Sequence, residues 1–101
     1  MDIKQKNYKQ PISASGCCFC CDCYLAGLSH SNGIEGAFDY AVQNKWVKGN
    51  DAFVNDHSAL INGLASKYGT TKRGGKRVNV GGHFVIKDEN GNIIYNPAKI
   101  N

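Results

Sequence analysis

The chain has 101 residues, a formal net charge of +4, and apolar and charged fractions of 42% and 20%. That length suits one domain, residues 1–101, and leaves no room for a second core. The start, MDIKQKNYKQ, has no apolar h-region, and no stretch approaches the run of about 20 apolar residues that crosses a bilayer, so the expectation is a cytoplasmic protein with no membrane partner.

Residues 1–16 read as an extended entry segment. Pro11 blocks an early helix, and a serine of the Ser13-Ala14-Ser15-Gly16 turn is placed to cap the helix that follows. Residues 17–29 are apolar almost all round, interrupted mainly by Asp22, which predicts a buried central helix. His30, Ser31, Asn32 and Gly33 stop it. Residues 34–47 are amphipathic, with Ile34, Ala37, Phe38, Ala41, Val42 and Trp46 at helical spacing and Gly49 as the stop. A third helix runs from His57, with Asp56 as N-cap, Leu60, Ile61, Leu64 and Tyr68 as its apolar stripe and Gly69 as its end.

The last third changes period. RVNV and HFVIKD read as strands, Asn90-Gly91 is a strong hairpin dipeptide, and Ile93, Ile94 and Tyr95 return before Pro97. Three helices followed by an antiparallel sheet make an α+β domain. Between them lies KYGTTKRGGKR, residues 67–77, with five basic residues and no acidic one. Its glycines, and the lack of an aromatic ladder or nucleic-acid motif, favour a solvated flexible loop over a polyanion contact, so nucleic acid is not an expected partner.

All five cysteines, at 17, 18, 20, 21 and 23, fall in the first helix. A reducing cytosol, an odd count and tight spacing argue against a disulfide framework. Three overlapping C-x-x-C pairs supply half of a zinc site, but no second pair lies downstream, so neither metal nor cofactor is expected. Cys17 differs from the rest. It follows a Ser-Gly turn and opens the helix, where the dipole and unpaired N–H groups lower a thiol's pKa. The remaining cysteines read as small core hydrophobes.

A cysteine nucleophile needs an oriented base. His57 reads as a surface or capping residue, and His30 as a neighbour of the first helix's negative end. His83 follows Gly81-Gly82 and opens the most apolar strand. The hairpin brings Asn96 back beside it, able to accept a hydrogen bond from the ring and fix its tautomer.

The order Tyr8-Lys9-Gln10, Gly16-Cys17, Gly82-His83-Phe84-Val85-Ile86, Asn90-Gly91 and Tyr95-Asn96-Pro97 resembles the papain-like cysteine peptidase superfamily. It is most similar to the bacteriocin-leader-peptidase-like branch and its small phage and prophage relatives of unassigned function. The resemblance implies a buried helix carrying the nucleophile and two short helices, packed on a small antiparallel sheet carrying the base. It implies Cys17 as nucleophile, His83 as general base and acid, Asn96 as orienting residue, and Gln10 as an oxyanion-hole donor. The chain departs from the branch pattern at Asn96, where aspartate is usual, and at Cys18-Phe19, where a small pair is common. The activity implied is acyl transfer or hydrolysis at a peptide or isopeptide bond of a peptide or protein substrate. A silent version of the fold that binds a host protein partner is the alternative, and a metal-binding cysteine cluster a third.

Overall fold

In the computed structural model, which describes residues 2–98, four helices precede a three-stranded antiparallel sheet, with short 3-10 turns at Gln5–Asn7 and His30–Asn32. Helix α1 (Ile12–Ser15) starts directly after Pro11, its N-cap. The expectation of extended chain to residue 16 is thereby corrected. At a helix start proline's missing N–H costs nothing, so Pro11 opens a helix instead of blocking one. Helix α2 (Cys17–Leu25) follows at once; its N-cap is Gly16, and the expected serine cap is absent. Glycine is required at this junction because a Cβ on residue 16 would sit 2.6 Å from the Ile12 carbonyl oxygen.

Helix α2 ends at Leu25, short of residue 29, because the chain turns through Gly27 at φ +90°. A Cβ on Gly27 would lie 2.1 Å from the Thr71 carbonyl oxygen. That carbonyl cannot retreat. Thr70 Oγ1 donates to the Ala26 carbonyl at 2.7 Å, and the Arg73 N–H donates to that of Leu25 at 2.9 Å. Gly27→Ala is therefore expected to cost about 2 kcal/mol or more, read as a lower urea midpoint.

Helix α3 (Ile34–Gln43) stops at Asn44, before Gly49. The chain leaves it through Lys45 at φ +63°, and the Trp46 N–H turns back to the Ala41 carbonyl. Residues 46–55 then double back on themselves, with Val47 bridged to Val54 and the Lys48 N–H donating to the Phe53 carbonyl at 2.9 Å. Helix α4 (His57–Tyr68) begins as expected, with Asp56 Oδ1 accepting from the Ala59 N–H at 3.0 Å, and Gly69 ends it at φ +65°.

Strands β1 (Lys76–Val80), β2 (His83–Lys87) and β3 (Ile93–Tyr95) lie in that order. Val80 pairs with His83, and Ile86 with Tyr95. The β2–β3 turn is held by Asp88 Oδ1, which accepts from the N–H groups of Asn90 and Asn92 at 2.9 Å each.

Helix α2 lies at the centre, packed on β2 and β1 to one side and α4 to another. That is why it is apolar all round: Phe19, Cys20, Cys21 and Cys23 are all fully buried. All five cysteines are free thiols. Burial pushes Cys20 and Cys23 well up and Cys21 up to about 12, so these three stay protonated and pack as hydrophobes.

The basic stretch is not the free loop expected. Arg73 Nη1 donates to the carbonyls of Tyr24 at 2.6 Å and Leu28 at 2.7 Å, closing the C-terminal end of α2. This is the end assigned from sequence to His30, whose Nδ1 lies instead 2.9 Å from the Tyr8 hydroxyl. Lys72 Nζ donates to Asn62 Oδ1 at 2.7 Å, and Arg77 Nη1 to Asp22 Oδ1 at 2.6 Å.

Candidate active site

A thiol docks the sheet onto α2. The Cys21 thiol donates to the Phe84 carbonyl at 3.4 Å, and Phe84 lines the same cleft as Cys17, one helical turn before Cys21. This contact places His83, the residue before Phe84, beside the helix start.

The orientation of His83 follows from three atoms. The Ala98 N–H donates to Asn96 Oδ1 at 3.0 Å. A backbone N–H can only donate, so the amide atom facing it is the oxygen. That same oxygen lies 3.0 Å from His83 Nε2, so Nε2 carries a proton when the ring is neutral. Nδ1 is then the ring nitrogen with a free lone pair. Gln5 braces the arrangement: its N–H donates to the Pro97 carbonyl at 3.0 Å, and its side-chain amide to the Ser13 carbonyl at 3.3 Å. It therefore ties the turn after Asn96 to the helix preceding Cys17.

The Cys17 thiol is lowered to about 5. The main cause is the Cys18 thiol, which donates to the Cys17 sulfur; the Phe84 N–H and the nearby charge of His83 add to it, against the opposing effect of burial. Cys18 moves the opposite way, pushed up as the donor of that bond and by burial. Cys17 is therefore the thiol of the pair that ionises first. The first turn of α2 also leaves the N–H groups of Cys17, Cys18 and Phe19 without helical acceptors, pointing a positive dipole end at the same place.

Cys17 and Cys18 open into a cleft of about 470 Å³, walled by Phe84, by His57 and by the segment Asp51–Val54. Phe53 stands at its rim, 59% exposed, with the Lys48 ammonium 5.3 Å from its ring centre.

Of the residues singled out from sequence, the structure pairs His83 with Asn96 and sets Cys17 within reach of the charge of His83. Gln10 it does not: Gln10 is exposed and lines a separate depression with Phe38, Asp39 and Val42. The helix formed after Pro11 turns residue 10 away from the nucleophile. Sequence reasoning missed Asp22. It is fully buried, with Oδ2 2.5 Å from His57 Nδ1 and Oδ1 2.6 Å from Arg77 Nη1. His57 does begin a helix, but its ring turns inward to this carboxylate and is not a cap. The signal was a lone acid inside an otherwise apolar helix, which demands a partner of opposite charge.

Among the described residues, no group of three or more His, Cys, Asp or Glu side chains is disposed to hold a metal ion, and no helix is long and apolar enough to cross a membrane. Compared with protein-family models, with curated proteins and with solved structures, the chain matches none.

Proposed function

We propose that this domain is a small thiol hydrolase of papain-like type, with Cys17 as nucleophile, His83 as its base and acid, and Asn96 as the residue that holds the imidazole. The observation that carries it is the shared oxygen of Asn96. Fixed by the Ala98 N–H, it commits His83 Nε2 as a donor and leaves Nδ1 free to exchange a proton with Cys17, whose thiol feels the charge of this ring. The thiolate attacks a carbonyl carbon, and the unpaired N–H groups at the start of α2 receive the developing oxyanion. His83 returns the proton to the leaving amine, and water releases the acyl group. The apolar wall formed by Ala52, Phe53 and Val54 suits an apolar side chain of a peptide or protein substrate.

One observation favours the competing reading, a silent fold that binds a partner protein: Gln10, the expected side-chain oxyanion donor, lies away from Cys17. A single experiment decides between them. Mixed with p-nitrophenyl acetate, an active enzyme releases a stoichiometric burst of p-nitrophenolate, and peptide mass mapping finds the acetyl group on Cys17. The burst is absent in Cys17→Ala. Slow labelling spread over the exposed thiols, with no burst, would falsify the hydrolase reading.

A further inference from the structure

Two imidazoles are held with opposite polarity, and one of them, His57, lines the cleft beside Cys17 and Cys18. His83 is held through Nε2 by an amide; His57 is held through Nδ1 by a carboxylate. Asp22 Oδ1 receives the Arg77 guanidinium, which favours the ionised carboxylate. Facing that carboxylate, the ring carries its proton on Nδ1 and donates it to Oδ2. Nε2 is then the ring nitrogen with the free lone pair, on a side chain that is 36% exposed and lines the cleft containing Cys17.

Asp22 calls for an explanation. A carboxylate with no exposure loses several kcal/mol of hydration, and apolar residues commonly replace such buried pairs without loss of stability. What the carboxylate does here is orient an imidazole and supply negative charge behind it. Asn96 gives His83 the orientation without the charge. His57 therefore has the stronger support for accepting a proton outright.

We propose that His57, oriented by Asp22 and Arg77, is a second catalytic base of this cleft, which takes the proton from the water that hydrolyses the Cys17 acyl-enzyme. In that step water gives one proton to His57 Nε2, and its oxygen bonds to the acyl carbon. The C–Sγ bond breaks, its electron pair leaves on Cys17 as thiolate, and the acyl group departs as the carboxylic acid. His57 then loses its proton to solvent. Acylation belongs to His83, deacylation to His57. This assignment rests on the thiol-hydrolase reading above.

The test is pre-steady-state hydrolysis of p-nitrophenyl acetate by the full chain and by His57→Gln and His57→Ala. The expected result is an unchanged burst rate and amplitude, with the steady phase slowed about 10²-fold or more and acetyl-Cys17 accumulating in mass spectra. Free imidazole should restore the steady phase in His57→Ala, which a merely structural role would not allow. His57 is one of the two partners of the buried Asp22, so melting temperatures are expected to fall, and a cooperative melt above the assay temperature confirms the fold of each variant. A steady phase equal to wild type, or a burst slowed instead, overturns the assignment while leaving the hydrolase reading intact. No burst in the wild-type protein overturns both.

Discussion

In a His83→Ala variant, alkylation of Cys17 by iodoacetamide near pH 6 is expected to fall about twofold or more, with the midpoint of its pH profile moving up. Starting about one unit below that pH, a first unit of rise in pKa about halves the thiolate, and each further unit removes about tenfold. The Cys17 thiol, lowered to about 5, is mostly ionised at that pH in the intact site. Cys18→Ala should raise the midpoint as well, because its S–H is the main cause of the lowering. The two variants part company in turnover. Cys18→Ala keeps an imidazole able to deliver a proton to a leaving amine, so its amide hydrolysis recovers once the pH is raised. His83→Ala loses that acid, and raising the pH does not restore it; loss of a positioned general acid costs about 10²–10⁴-fold. Asn96→Ala frees the ring tautomer and falls between them, whereas Asn96→Asp holds Nε2 and retains activity. Equal alkylation profiles in wild type and His83→Ala would remove His83 from the site.

The sign of the ionisation also bears on stability. Cys17 is an acid whose folded value lies below its ordinary 9.0. The folded state thus binds fewer protons than the unfolded chain between about 5 and 9.0, and stability gains from this group as pH rises through that window. Cys20, Cys21 and Cys23, all pushed up by burial, act oppositely, and only above the ordinary thiol range.

Much of this was legible because local chemistry and tertiary context agree. The Asn90-Gly91 turn, the Asp56 cap and Gly69 stop, and the all-round apolar character of α2 each have one favoured structural outcome, and each is found. The pairing of His83 with Asn96 followed from hairpin topology alone, since the end of a returning strand must lie beside the start of its partner. What was not legible depended on contacts far apart in sequence. The partners of Asp22 come from residues 57 and 77, on two other elements, and neither periodicity nor spacing encodes that meeting. Arg73 and Arg77 looked like solvated charge because nothing local shows that one closes a helix end and the other faces a buried acid. Gln10 was placed by analogy of order, and the short helix after Pro11 moved it to another surface.

The largest effect on stability is expected from Arg77→Met. Asp22 has no exposure, whereas Arg77 keeps 23% and His57 36% of their side chains in solvent. Removing the acid therefore leaves a guanidinium and an imidazole that can turn outward, but removing Arg77 leaves the carboxylate buried with one partner. Breaking a buried pair in this direction costs about 3 kcal/mol, on the order of 15 °C in melting temperature for a chain of this size. The loss should depend on pH in a definite direction. Burial holds the Asp22 carboxyl above its ordinary 3.8, with His57 and Arg77 pulling it back down. An acid raised in the folded state costs stability as pH rises through its folded value, and loss of Arg77 raises that value further. The gap between Arg77→Met and wild type should therefore be widest at neutral pH and should close as pH falls toward 3.8. Adding Asp22→Val to Arg77→Met, which replaces the pair by apolar side chains, should recover most of the stability at neutral pH while leaving deacylation slow. Urea midpoints of the two single variants and the double variant measure the coupling directly. A loss in Arg77→Met that is independent of pH, or that the second substitution deepens, would mean that Arg77 acts through packing of its stem and not through the charge of Asp22.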